Sequence, residues 1–111
     1  MSAFDCIWTK EPLVRKTIEI DDNLYSKLQE LSQNKYDASV NKLINACILD
    51  LVKTKKINLY KPSKNSISVK HSLLIRASLV EELDKLKSEF NLSLYKLVNI
   101  SIKNAIDEIT R

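Results

Sequence analysis

Two short runs of the chain alternate between apolar and polar positions. In residues 14–20, Val14, Ile18 and Ile20 fall on one side, with Lys16 as the exception, and Arg15, Thr17 and Glu19 on the other. In residues 69–75, Val69, Leu73 and Ile75 share a side with His71, and Lys70, Ser72 and Leu74 take the opposite one. Period-two alternation rich in β-branched residues predicts a half-buried strand at each place. After each run the period changes. Leu24, Leu28 and Leu31, and again Leu79, Leu83 and Leu86, are spaced i, i+4, i+7, which predicts an amphipathic helix. A second helix follows in both places. One carries Val40, Leu43, Ile44, Cys47, Ile48 and Leu51 on a single face, the other Leu94, Leu97, Val98, Ser101, Ile102, Ala105 and Ile109. These stripes are expected to be core.

The ends of the helices are marked as well. Asp21, Asp22 and Asn23 offer caps to the first helix, and residues 78–81 fit a capping box with Ser78 and Glu81. Ser39 and Ser93 stand where N-caps of the later helices are expected. Asn34 and Asn91 fall in the helix–helix turns, where asparagine tolerates the left-handed conformation in place of glycine.

The chain therefore contains itself twice. A shift of 55 superimposes Ile20 on Ile75, Leu24 on Leu79, Leu28 on Leu83 and Leu31 on Leu86. A shift of 54 superimposes Ser39 on Ser93, Lys42 on Lys96, Leu43 on Leu97, Asn45 on Asn99 and Ile48 on Ile102. The change of one residue falls between Gln33 and Asp37, in a predicted turn. The organisation read from this is an N-terminal segment 1–13, a first unit 14–52, a connection 53–68 and a second unit 69–111.

Charge sharpens that division. The net charge is only +4. Lys53, Lys55, Lys56, Lys61, Lys64 and Lys70 nevertheless follow one another with no acid between them, whereas acids outnumber bases in the rest of the chain. A local basic segment suits contact with phosphates, and it would equally suit a solvated linker. The chain has no glycine, which excludes the glycine-rich phosphate loops of dinucleotide and P-loop sites as usually built.

Catalytic and metal chemistry find no foothold in the sequence. Cys6 and Cys47 lack neighbours at ligand spacing, and Cys47 belongs to an apolar stripe. His71 is the only histidine and reads as a strand residue near the end of the strand pair. No cofactor, metal site or enzymatic activity is expected. Neither a signal peptide nor a membrane span is predicted, because charged or amide residues interrupt every apolar run. A reducing cytoplasm is the expected compartment.

A single strand leaves its backbone unpaired, and one strand with two helices buries too little core to fold alone. The order strand–helix–turn–helix, with a polar cap before the last helix, resembles the ribbon-helix-helix family of Arc- and MetJ-type repressors. The resemblance covers about Val14 to Ile109, and having both halves in one chain resembles the tandem members of that family. It implies a mostly α fold with a short antiparallel two-stranded ribbon, the two units forming a pseudo-dimer within one chain.

It also implies double-stranded DNA as partner, with the ribbon in the major groove. Arg15, Thr17, Glu19, Lys70, Ser72 and Leu74 would then face the bases, although Glu19 and Leu74 depart from the polar or basic residues expected there. Ser39 and Ser93 would hold phosphates at helix N-termini, and Lys55, Lys56, Lys61 and Lys64 would add further phosphate contacts. A repressor, a plasmid conjugation accessory protein or a partition protein would all use such a unit, with higher assembly on adjacent DNA sites. The rival reading is an antitoxin or helical protein-interaction module, with Phe4, Ile7 and Trp8 as a small docking segment.

Overall fold

The computed structural model describes residues 12–34, 39–61 and 66–109. Cys6, Lys64, the apolar residues Phe4, Ile7 and Trp8, and the turn after Asn34 lie outside the described residues. Both alternating runs form strands, β1 (Leu13–Asp21) and β2 (Ser68–Arg76). Each leads directly into a helix, α1 (Asp22–Asn34) after β1 and α3 (Ala77–Phe90) after β2. The later helices are α2 (Val40–Thr54) and α4 (Leu94–Ile109).

The strands pair with each other, antiparallel, in a two-stranded sheet. Their register places Thr17 opposite Ser72, Arg15 opposite Leu74 and Glu19 opposite Lys70. Thr17 and Ser72 are repeat equivalents, so the strands cross at matching positions. The pairing continues beyond the strand ends: the Asp22 amide donates to the Ile67 carbonyl at 2.8 Å, and the Ala77 amide to the Pro12 carbonyl at 2.9 Å. Each of these helices therefore starts with its first amide already satisfied by the other half of the chain.

One side of the sheet closes the core. Ile18, Ile20, Leu73 and Ile75 are buried there against Leu24, Leu28, Leu79, Leu83 and Leu86 of α1 and α3, and against the apolar faces of α2 and α4. Val69 is the exception on that side, because it sits near the strand end and stays 38% exposed. Cys47 is buried in this core. Desolvation, with a smaller push from the Asp50 carboxylate, raises its thiol to about 11, so little reactive thiolate exists at neutral pH. Because the described part of one chain already supplies this core from both repeats, its thermal midpoint is expected to stay constant across a hundredfold range of protein concentration. A midpoint rising steadily with concentration would show that a second chain is needed.

The caps divide into expected and unexpected. Ser39 caps α2, accepting from the Lys42 amide at 3.2 Å. The Asp21 carboxylate caps α1, accepting from the Asn23 amide at 3.0 Å. Asn91 adopts the left-handed conformation after α3. The capping box at Ser78 does not form the helix start: α3 begins at Ala77, and Arg76 in the cap position makes no side-chain cap bond. The first amide of α3, that of Ala77, is taken instead by the Pro12 carbonyl.

After α2, Lys55 takes the left-handed conformation, φ 53° and ψ 32°, to let its amide reach the Leu51 carbonyl. A residue with a Cβ is strained there, so Lys55→Gly is expected to stabilise the fold by about 1 kcal/mol. The exposed Lys55–Glu89 pair at 3.8 Å that is lost offsets little of it. A melt reads this as a rise of roughly 4 °C or more, and a fall would show that the strain is absent.

Candidate nucleic-acid interface

Alternation sends every second side chain of the sheet away from the core. On that outer side Arg15, Thr17, Glu19, Lys70 and Ser72 are exposed, and Leu74 is half-buried. The six candidates for base contact thus form one continuous surface of three cross-strand pairs. Arg15 is held across the ribbon, its Nη1 donating to Ser72 Oγ at 3.0 Å. Opposite charges face each other at Glu19 and Lys70.

A two-stranded ribbon leaves half its backbone groups pointing outward, and these need partners. Asparagines from the later helices supply them. Asn99 Nδ2 donates to the Glu19 carbonyl at 2.9 Å, and Asn99 Oδ1 accepts from the Asp21 amide at 2.8 Å. In the other half Asn45 Nδ2 donates to the Leu74 carbonyl at 2.9 Å, and Asn45 Oδ1 accepts from the Arg76 amide at 3.1 Å. Each asparagine bridges a carbonyl and the amide two residues on, as a neighbouring strand would.

The clamps are exchanged: α2, after β1, holds β2, and α4, after β2, holds β1. Asn41 adds a second grip on Leu74, taking its amide and its carbonyl, both at 2.9 Å. Its repeat equivalent is Tyr95, which has no amide to offer. The pairing of Asn45 with Asn99 is visible in the repeat, but not the role of either residue.

His71 lies one position from the ribbon centre rather than near its end, facing Ile18. Its ring stacks on Tyr25 with centroids 3.7 Å apart and planes 9° from parallel. Its Nε2 is buried with no hydrogen-bond partner among the described residues.

The proposed phosphate ligands are scattered. Ser39 and Ser93 precede α2 and α4, at the ends nearer the ribbon clamps. Ser39 is exposed, whereas Ser93 Oγ is buried with no partner among the described residues, so the N-cap expected there is not made. Lys61 is exposed and follows Tyr60, which borders a cavity with Asp21 and Ser68 at one ribbon end. Lys55 and Lys56 are exposed beyond the far end of α2, about 15 Å along its axis from Asn45. There the Lys56 carbonyl accepts from Asn104 of α4 at 2.8 Å. The structure thus brings the six ribbon residues together and leaves Lys55 and Lys56 apart from them.

Among the described residues no group of three or more His, Cys, Asp or Glu is placed to hold a metal ion, and no helix is long and apolar enough to cross a membrane. Comparison with protein-family models, with curated proteins and with solved structures finds no match to this chain.

Proposed function

We propose that this chain is a tandem ribbon-helix-helix protein that binds double-stranded DNA, as a repressor or a plasmid or mobile-element accessory protein. One observation carries the reading: an exposed, largely polar ribbon face whose repeat-equivalent residues, Thr17 and Ser72, lie opposite each other. Strands spaced about 4.8 Å apart, with their side chains, suit a major groove about 12 Å wide. Arg15 and Lys70 would donate to guanine, Thr17 and Ser72 would donate or accept, and Glu19 would accept from cytosine N4. Leu74 would pack on a thymine methyl. Backbone amides at the starts of α2 and α4, after Ser39 and Ser93, would seat flanking phosphates, with the buried Ser93 hydroxyl taking no part.

Among the described lysines of the connection, Lys61 is the one beside a ribbon end. Lys55 and Lys56, at the far end of α2, would add only to the long-range field. Selection of bound fragments from random duplex, followed by titration over a salt series, tests the reading. Lys61→Ala is expected to flatten the slope of log K against log salt by about one unit, and Lys55→Ala with Lys56→Ala to leave it nearly unchanged. A chain that retains no duplex at low salt refutes the proposal.

One observation favours the second reading, a helical protein-interaction module. A cavity of about 330 Å³ opens between α1, α2 and α4, lined by Leu28, Leu31, Leu43, Cys47 and Ile106. Its lining is almost wholly apolar, and it lies among the helices rather than on the ribbon face.

A further inference from the structure

Beneath one end of the ribbon is a second cavity, of about 310 Å³, and its walls are chemically mixed. Asp21 lines it although its residue is only 6% exposed. One carboxylate oxygen accepts from the Asn23 amide at 3.0 Å and so caps α1. Tyr60 and Tyr95 border the same space, with Leu59 and Ile100. Lys96 contributes from an exposed position. Burial, reinforced by the Asp21 charge, pushes the Tyr60 hydroxyl up to about 12, so the ring stays neutral beside the carboxylate.

The repeat shows that these walls belong to one end only. Arg76 stands where Asp21 does, Asn41 where Tyr95 does, and Ala46 where Ile100 does. Asn41 spends its side chain on the Leu74 backbone, whereas Tyr95 lines the cavity.

A carboxylate in a mostly apolar enclosure is stabilised by a cation that brings its own hydrogen-bond donors. Aromatic walls favour a flat apolar body and add cation–π attraction. An exposed ammonium beside such a cavity favours an anionic group on the side nearer solvent. We propose that this cavity binds a small zwitterion of the amino-acid class with a flat apolar side chain. Its ammonium group sits on Asp21, its body lies against Tyr60 and Tyr95, and its carboxylate is directed to Lys96. The site stands whether or not the ribbon binds DNA.

Calorimetric titration of the full chain with three probes tests it: phenylalanine, phenethylamine and 3-phenylpropionate. Phenylalanine is expected to bind best, phenethylamine less tightly and phenylpropionate not at all. Asp21→Asn keeps a residue able to cap α1 while removing the charge, and should weaken phenylalanine by about tenfold or more. Tyr95 is 45% exposed, so Tyr95→Ala tests the aromatic wall without disturbing the core, and it should weaken the same probe severalfold even if Asp21→Asn fails to fold. No heat with any probe at millimolar concentration overturns the proposal. So does binding that the folded variants leave unchanged, or phenylpropionate binding as tightly as phenylalanine.

Discussion

Replacing Asn99 with leucine is expected to destabilise the fold by about 2–4 kcal/mol, although the side chains share the same branched shape and the position is 6% exposed. The loss is polar. Leucine would leave the Asp21 amide and the Glu19 carbonyl without the partners that Asn99 provides at 2.8 and 2.9 Å. Each buried group stranded in this way costs about 1–3 kcal/mol. Asn45→Leu should cost less, because Asn41 still donates to the Leu74 carbonyl at 2.9 Å and only the Arg76 amide is stranded. The double variant should lose about 3–7 kcal/mol, a large share of a stability that for such domains totals about 5–15 kcal/mol. Denaturant melts measure the totals. Amide exchange gives the sharper test, because Asn99→Leu should deprotect Asp21 and Asn45→Leu should deprotect Arg76. A variant that melts within about 0.5 kcal/mol of the parent would show that water replaces the clamp.

Arg15→Ala and Lys70→Ala are expected to do the reverse, leaving the melt close to the parent and acting on binding. Both side chains are exposed on the outer ribbon face. If each makes a bidentate base contact, its loss weakens the preferred duplex by roughly 1–3 kcal/mol and random duplex by less. The two strands differ in sequence, so Arg15→Ala should relax one half of the site and Lys70→Ala the other. Arg15 sits opposite Leu74, and Lys70 opposite Glu19; the half read by Arg15 is therefore expected to show the simpler guanine preference. Competition over single-base variants of the selected duplex measures this. Parent-like affinity in both variants would remove the ribbon as the reading surface.

Much of the architecture is legible from periodicity. The alternation around Ile18, Ile20, Leu73 and Ile75 locates both strands to within a residue of their ends, and the leucine spacing locates α1 and α3. The outer ribbon residues follow, because a strand facing a core on one side must present its other side chains to solvent. The clamps are less legible. Asn45 and Asn99 stand out as a repeat match, but their partners are backbone groups of the opposite half, and backbone atoms carry no sequence signature. Ser78 misleads about where α3 begins: the strand runs directly into the helix at Ala77, whose amide is taken by the Pro12 carbonyl just before β1. Lys55 and Lys56 read as part of one basic segment, yet the length of α2 carries them to its far end. Whether they neighbour the ribbon depends on geometry, which spacing in the sequence does not encode.

The exchange of clamps between halves bears on how the molecule can come apart. Neither half can satisfy its own strand, since β1 relies on a helix some 80 residues later and β2 on one some 30 residues earlier. Releasing either helix strands polar groups in the half that remains, so partial opening gains little entropy for a large loss. Unfolding is therefore concerted, with the ribbon and both clamping helices forming one cooperative unit. Its formation must wait for distant parts of the chain to meet, which sets folding to the slower pace of non-local topologies despite the high helix content.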